Sequence, residues 1–138
     1  MNLIDTGPLI AIIDRGQGDI HNRCVEVCET LSGPLLTTWP CFTEAMYFLA
    51  DLRGWTGQAA LWKMWQQRAL YIYDIDLQSC ERMRVLMEKY KDIPMDLADA
   101  SLVAVAEDLN LRQIFTLDSD FYIYRIQDKD AFDVIPHK

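Results

Sequence analysis

The sequence predicts an α/β domain built around a largely parallel sheet, and two observations carry that reading. Short runs of strand-forming residues alternate with longer amphipathic segments from end to end of the 138-residue chain, which is the pattern of successive βα units. Four carboxylates, Asp5, Glu44, Asp99 and Asp118, sit where those strands end or those helices begin, the edge at which open α/β sheets bind their ligands. The length favours one domain spanning residues 1–138, and no repeat, linker or low-complexity stretch divides it.

Leu3 and Ile4 form a first short strand that ends at Asp5. Thr6-Gly7-Pro8 then leads into Leu9-Ile10-Ala11-Ile12-Ile13, and a proline at a first helical position starts a helix there. Asp14-Arg15-Gly16-Gln17-Gly18 reads as a loop. A helix over 21–31 carries Cys24, Val25, Cys28 and Leu31 on its apolar side, and Ser32-Gly33-Pro34 stops it. Leu35-Leu36-Thr37-Thr38 is the second strand. Pro40 opens a helix bearing Phe42, Ala45, Met46, Phe48 and Leu49 that ends near Gly54. Thr56 caps the next helix, over 58–68, with Leu61, Trp62 and Trp65 on one side. Leu70-Tyr71-Ile72-Tyr73 is rich in strand formers. Asp76 or Ser79 starts a helix that reaches Tyr90, and Pro94 breaks the chain. Asp96 begins the most apolar helix, extending to Glu107; apolar residues nearly all round mark it as buried, and Asn110 ends it. Gln113-Ile114-Phe115-Thr116 runs to Asp118, and Phe132-Asp133-Val134-Ile135 is the last strand.

Hydrophobic residues make up 51% of the chain and charged residues 25%, an ordinary balance for a globular protein. The longest apolar stretch, 97–106, is interrupted by Asp99 and is far too short for a bilayer. Met1-Asn2-Leu3-Ile4-Asp5 places no basic region ahead of an apolar core, so a cytoplasmic protein without membrane association is expected. Cys24, Cys28, Cys41 and Cys80 form no CxxC pair and read as small buried thiols. His21, Cys24 and Cys28 on one helix make a poor zinc set without a fourth ligand. The net charge of −8 argues against a broad basic surface for nucleic acid. Arg53, Lys63 and Arg68 in one region, and Arg82, Arg84, Lys89 and Lys91 in another, form local strips that either contact phosphate or are solvated helix faces.

Each acid has an everyday role open to it. Asp5 suits the cap of the first helix. Asp96 caps the helix that follows it, with Asp99 three residues on in the manner of a capping box. Glu44 suits a first helical turn, and Asp118 and Asp120 suit a loop. Single roles leave the coincidence of four at one edge of one sheet unexplained, each among apolar or small residues with no Lys or Arg beside it. A carboxylate at buried surface is costly unless something pairs with it, and one shared divalent cation pairs with all four. An oxygen-only ligand set selects Mg²⁺ or Mn²⁺ over zinc, and phosphodiester hydrolysis is the leading chemistry for such a cluster.

At these residues the chain resembles the PIN-domain family, and within it the VapC-type toxins of toxin–antitoxin pairs. The stretches that carry the resemblance are Leu3-Ile4-Asp5-Thr6-Gly7-Pro8-Leu9-Ile10, Thr43-Glu44, Met95-Asp96-Leu97-Ala98-Asp99-Ala100-Ser101-Leu102-Val103-Ala104, and Thr116-Leu117-Asp118-Ser119-Asp120-Phe121. One stretch alone is weak; the ordered set, spread over nearly the whole chain, is specific. Gly7 stands where many relatives carry a small polar residue. The resemblance implies a three-layer domain with about five mostly parallel strands flanked by helices. It implies that Asp5, Glu44, Asp99 and Asp118 hold Mg²⁺ or Mn²⁺, that Thr6 and Thr116 orient carboxylates, and that Asp96 and Asp120 are supporting acids around them. It further implies endonucleolytic cleavage of single-stranded or loop RNA leaving a 5′-phosphate, a homodimer, and an antitoxin protein that lays a segment across the acidic groove. Trp39, Trp55 and Tyr122 are candidates to stack on splayed bases, and core or dimer packing accounts for them equally well. Leu61, Trp62, Met64 and Trp65 form either an apolar contact surface or part of the core.

Two other classes of α/β protein with acidic pockets fit less well. A phosphoacceptor receiver domain needs paired acids after the first strand and a Lys after the last, and neither is present. A haloacid-dehalogenase-type phosphatase needs Asp-x-Asp after the first strand, and Gly7 occupies the second position. The remaining alternative is a catalytically silent PIN fold used as a binding or regulatory module.

Overall fold

The computed structural model describes residues 1–137. Its strands are β1 (Asn2–Ile4), β2 (Leu35–Thr38), β3 (Leu70–Tyr73), β4 (Gln113–Phe115), β5 (Arg125–Ile126), β6 (Asp130–Ala131) and β7 (Asp133–Ile135). Its helices are α1 (Thr6–Ile13), α2 (Asp19–Thr30), α3 (Trp39–Gln66), α4 (Leu77–Lys89) and α5 (Leu97–Leu109). Among the described residues five strands form one sheet in the order β3-β2-β1-β4-β7, and every neighbouring pair is parallel. Strands β5 and β6 pair antiparallel as a separate hairpin.

The strands are short, and their alternation sorts the core into two layers. Successive side chains on a strand point to opposite faces. Leu3, Leu36, Ile114 and Val134 therefore join the core beneath α4 and α5, while Ile4, Leu35, Phe115 and Ile135 join the core beneath α1, α2 and α3. Both faces are covered, as a parallel sheet requires. Helix α5 is buried along nearly its whole length, from Ala98 to Ala106, as its apolar sequence predicts. No helix among the described residues is long and apolar enough to cross a membrane.

The structure departs from the sequence-based expectations in three places and meets one at α3. Helix α1 begins at Thr6 rather than at Pro8, with Asp5 as its N-cap. As the sequence predicts, a helix ends near Gly54 and another follows: α3 consists of two helical halves that meet at a kink where Gly54 adopts the non-helical φ 59° and ψ −148°. Only glycine takes this backbone readily. The kink turns the second half of α3 back on the first so closely that a Cβ on Gly57 would meet Leu49 O at 3.2 Å and Arg53 Cβ at 2.9 Å. The β5–β6 hairpin was not predicted, because two-residue strands carry no periodic signal. Finally, the cysteines do not share one environment: Cys24 and Cys41 are buried, Cys28 is half-buried and Cys80 is exposed.

Of the aromatic and apolar residues singled out on α3, Leu61 is core, Trp62 and Met64 pack partly against it, and Trp65 is exposed, as are Trp39, Trp55 and Tyr122. The basic strip on α4 is largely neutralised: Arg82 bonds Glu107 and Asp128, Lys89 bonds Asp128, and Arg84 bonds Glu81 and Glu88. Two of these pairs also pin the hairpin turn at Asp128 onto α4.

Replacing Gly54 with Ala adds no clash, since nothing lies within 4 Å of the new Cβ, so the cost is purely conformational. We expect Gly54→Ala to lower the unfolding free energy by about 1–3 kcal/mol. Urea denaturation checks this as a lower midpoint at unchanged m-value; an unchanged midpoint would show that the kink is not set by Gly54.

Candidate metal centre at the carboxyl edge of the sheet

The chain runs outward from β1 through β2 to β3, then returns to place β4 on the other side of β1. The sheet thus has a switch point between β1 and β4, where the connections diverge and leave a crevice. Asp5 follows β1 directly and Asp118 follows β4 by three residues. Adjacent parallel strands that end level deliver these two acids to the same place: Asp5 N donates to Phe115 O at 2.9 Å.

The other two acids arrive on helices that start at the same edge. Thr38 ends β2 and caps α3, which carries Glu44 in its second turn. Asp96 caps α5 by accepting from Asp99 N at 2.8 Å, which places Asp99 in the first turn. The two helix starts are tied together, since Thr38 Oγ1 and Ser101 Oγ share a hydrogen bond of 2.7 Å.

Carboxylate oxygens of Asp5, Asp99 and Asp118 come within 4.8 Å of one another. Glu44 lines the same cavity, of about 310 Å³, together with Thr6, Gly7 and Asp96, but stands outside that three-acid cluster. Asp120 is not in the cavity wall. Its backbone N–H donates to Asp118 Oδ1 at 2.9 Å and so holds Asp118 in a short turn. The alternative zinc set is not assembled: Cys24 is buried in the core, and the His21 ring is hydrogen-bonded to Ala11 O at 2.6 Å.

Three of the four acids are held by hydroxyl groups from other elements. Thr116 Oγ1 donates to Asp5 Oδ2 at 2.7 Å and accepts from Asp118 N at 3.0 Å, linking the first and last acids through one side chain. Thr6 Oγ1 donates to Glu44 Oε1 at 2.9 Å, so this threonine serves Glu44 through its side chain and Asp5 through its backbone N–H, at 2.7 Å. Tyr124 Oη donates to Asp99 Oδ2 at 2.8 Å. Sequence reasoning missed Tyr124. It is fully buried in an edge-to-face stack with Tyr90 and Phe121, and it lies just ahead of the hairpin that was not predicted. The signal available was the run Phe121-Tyr122-Ile123-Tyr124: a tyrosine in so apolar a run needs a partner for its hydroxyl, and the acids are the partners on offer.

The electrostatics follow from crowding like charges into a half-buried space. Burial pushes the Asp5 carboxyl up to about 6, with the charges of Asp118 and Glu44 adding to the rise and the bonds from Thr116 and Thr6 opposing it. Burial likewise raises Asp99, the Tyr124 bond opposes that rise, and Asp5, Asp96 and Asp118 add to it. Burial first, then Asp118 and Asp96, raises Asp120. Cys41 Sγ lies 3.9 Å from Asp5 Oδ1; burial and the Asp5 charge push that thiol up to about 12, so it remains S–H. Among the described residues no basic side chain lines the cavity. A divalent cation satisfies such a cluster, and carboxylate oxygens alone favour a hard ion.

An acid cluster at the switch point of an α/β domain is compatible with a bound divalent cation. The sequence profile of the PIN domain family matches residues 3–127, and the chain belongs to that family. It is 27% identical over 135 residues to Ribonuclease VapC26 of Mycobacterium tuberculosis, covering 97% of this chain and 99% of that protein. Its fold is similar to the crystal structure of Mycobacterium tuberculosis VapC20, described as a Sarcin-Ricin loop cleaving toxin, with a TM-score of 0.83 at 13% identity over 94% of this chain and 98% of the other. It is also similar to a chain of a toxin–antitoxin complex from Klebsiella pneumoniae, with a TM-score of 0.65 at 22% identity over 88% and 90% of the two chains.

The raised carboxyl of Asp5 fixes the sign of a pH effect. With the folded group titrating near 6 and the unfolded group near 3.8, the stability contributed by the protonated form is complete below about pH 4. It is lost as the pH rises through 6, on the order of 3 kcal/mol by pH 7. Asp5→Asn stays neutral throughout. In EDTA we therefore expect the unfolding free energy of the variant, relative to wild type, to rise between pH 4 and pH 7; chemical denaturation at the two pH values measures it, and a pH-independent difference would contradict the crowding argument.

Proposed function

We propose that this protein is a metal-dependent endoribonuclease that hydrolyses RNA phosphodiester bonds, and that it is the toxin of a toxin–antitoxin pair. The observation that carries the reading is the convergence of Asp5, Asp99 and Asp118 within 4.8 Å in a cavity with no basic side chain among the described residues. Membership of the PIN domain family and the similarity to a curated ribonuclease over essentially the whole chain support the activity.

In this reading Asp5, Asp99 and Asp118 hold Mg²⁺ or Mn²⁺, with Glu44 completing the set from α3. The ion supplies a water of lowered pKa and offsets the negative charge that builds on the phosphoryl oxygens. The chain's own contribution is to fix the ligands. Thr116 turns Asp5, Thr6 turns Glu44 and Tyr124 turns Asp99, so each carboxylate has one oxygen committed to a hydroxyl. Asp96 holds the first turn of α5, and Asp120 holds the turn after β4. RNA is the substrate, an antitoxin protein the partner, a homodimer the working form, residues 1–138 a single functional domain, and the cytoplasm the site of action. The similarity to a chain of a toxin–antitoxin complex supports the antitoxin.

Incubating the purified protein with a mixed RNA pool tests the activity. We expect cleavage with Mg²⁺ or Mn²⁺, none in EDTA, and none from Asp99→Asn. Intact metal binding without cleavage of any pool would instead favour the silent binding module. Metal binding has its own readout: Mn²⁺ is expected to raise the melting temperature of wild type and not of Asp99→Asn.

The hydroxyls make a sharper prediction. Removing one by Thr116→Val or Tyr124→Phe leaves the carboxylate in place but free to turn, and is expected to weaken Mn²⁺ affinity by about 10–100-fold. Calorimetric titration measures this directly, and an affinity unchanged in both variants would show that the hydroxyls do not position the ligands.

A further inference from the structure

We propose that a second cavity, beside the acidic one, is the subsite for the nucleotide adjoining the scissile phosphate, with Arg23 as its phosphate contact. This rests on the nuclease reading above. The cavity has a volume of about 190 Å³ and lies between the ends of β4 and β7 and helix α2. Leu117 and Asp118 line both cavities, so a strand whose phosphate sits at the acids passes directly into the second one.

The two cavities share Asp118 but differ in the rest of their lining. The first offers carboxylates and repels every phosphate that is not neutralised by the ion. The second offers the Arg23 guanidinium, the Ser119 hydroxyl, the Tyr122 ring, Val134 and Pro136. A cation and a hydroxyl suit a phosphodiester, and apolar and aromatic lining suits a base.

Arg23 is positioned for this and is in no ion pair among the described residues. Its guanidinium donates to His137 O at 2.9 Å and has five N–H donors in all. Several of its counterparts are spent or lie elsewhere. Arg53 bonds Asp14, and Arg82 and Lys89 bond Glu107 and Asp128. Arg112 bonds Asp130, and Arg125 Nη1 donates to the carbonyls of Tyr122, Ile123 and Tyr124. Arg68 sits with Pro34 and Ala69 beside the entry to β2 and β3, at the opposite edge of the sheet. For a protein of net charge −8, one cation next to the acids therefore does what a broad basic surface does elsewhere.

The test measures binding of a labelled, short single-stranded oligoribonucleotide of random sequence with Ca²⁺ in place of Mn²⁺, together with cleavage kinetics in Mn²⁺. Arg23→Ala is expected to weaken binding about tenfold, to reduce the salt slope of log K by about 0.7, the share of one phosphate contact on a single strand, and to raise KM while kcat stays within about threefold. Arg23→Lys is expected to recover part of the affinity and the whole salt slope. Arg23→Gln keeps an N–H donor for His137 O without the charge; it is expected to behave like Arg23→Ala and covers the case in which Ala disturbs the fold. A wild type that binds and cuts RNA, with affinity, salt slope and KM unchanged in Arg23→Ala and Arg23→Gln, would overturn the subsite alone and leave the cavity to a side chain of a protein partner. A wild type that neither binds nor cuts RNA with any of these ions would overturn the nuclease reading and the subsite together.

Discussion

Three carboxylates within one small, half-buried space repel one another and resist losing their water, and the carboxyl edge of this fold is organised around that cost. Without a counter-charge the cluster relieves itself by holding protons, which is the meaning of the raised Asp5 and Asp99 carboxyls. With a divalent cation the same repulsion becomes affinity, because the ion meets oxygens that are already gathered. The energy needed to gather them comes from the rest of the domain: two apolar layers packed against the sheet, and helix caps that would be needed in any case.

The economy lies in using single groups twice. Asp5 caps α1 and faces the cavity; Thr6 is the first residue of α1 and also orients Glu44. Thr116 bridges Asp5 and the backbone of Asp118, and Thr38 caps α3 while its hydroxyl meets Ser101 of α5. Asp5 thus combines a helix cap with a place in the wall of the acidic cavity. Asp96 divides the labour differently. It caps α5, and by doing so frees the Asp99 side chain to face the cavity and accept from Tyr124.

The hairpin and the aromatic stack extend the site's support well beyond its walls. Phe132, Phe121, Tyr124 and Tyr90 contact one another edge to face in series, and the hairpin turn is held by Arg82, Lys89 and Glu107 through Asp128 and the backbone of Gln127. Tyr124 is therefore rigid, and a rigid hydroxyl is what fixes a carboxylate rotamer.

The sequence by itself determined the alternation of strands and helices, the four acids, and their place at one edge. Those signals are local: strand formers two apart, apolar helical faces, Pro and Gly punctuation, and carboxylates with no basic neighbour. The order of the strands, and with it the adjacency of β1 and β4, is a matter of which pairings bury both faces of the sheet, and residues more than a hundred apart in the chain meet there. Tertiary structure alone also decided that Asp5, Asp99 and Asp118 form the tight cluster while Glu44 stands beside it, that Thr6 turns Glu44, and that Tyr124 joins the site at all. It decided as well that Arg53, Arg82, Arg84, Lys89 and Arg112 pair with nearby acids while Arg23 stands beside the acidic cavity. Each of these depends on where a side chain ends in space after packing, and no periodicity in the chain encodes that.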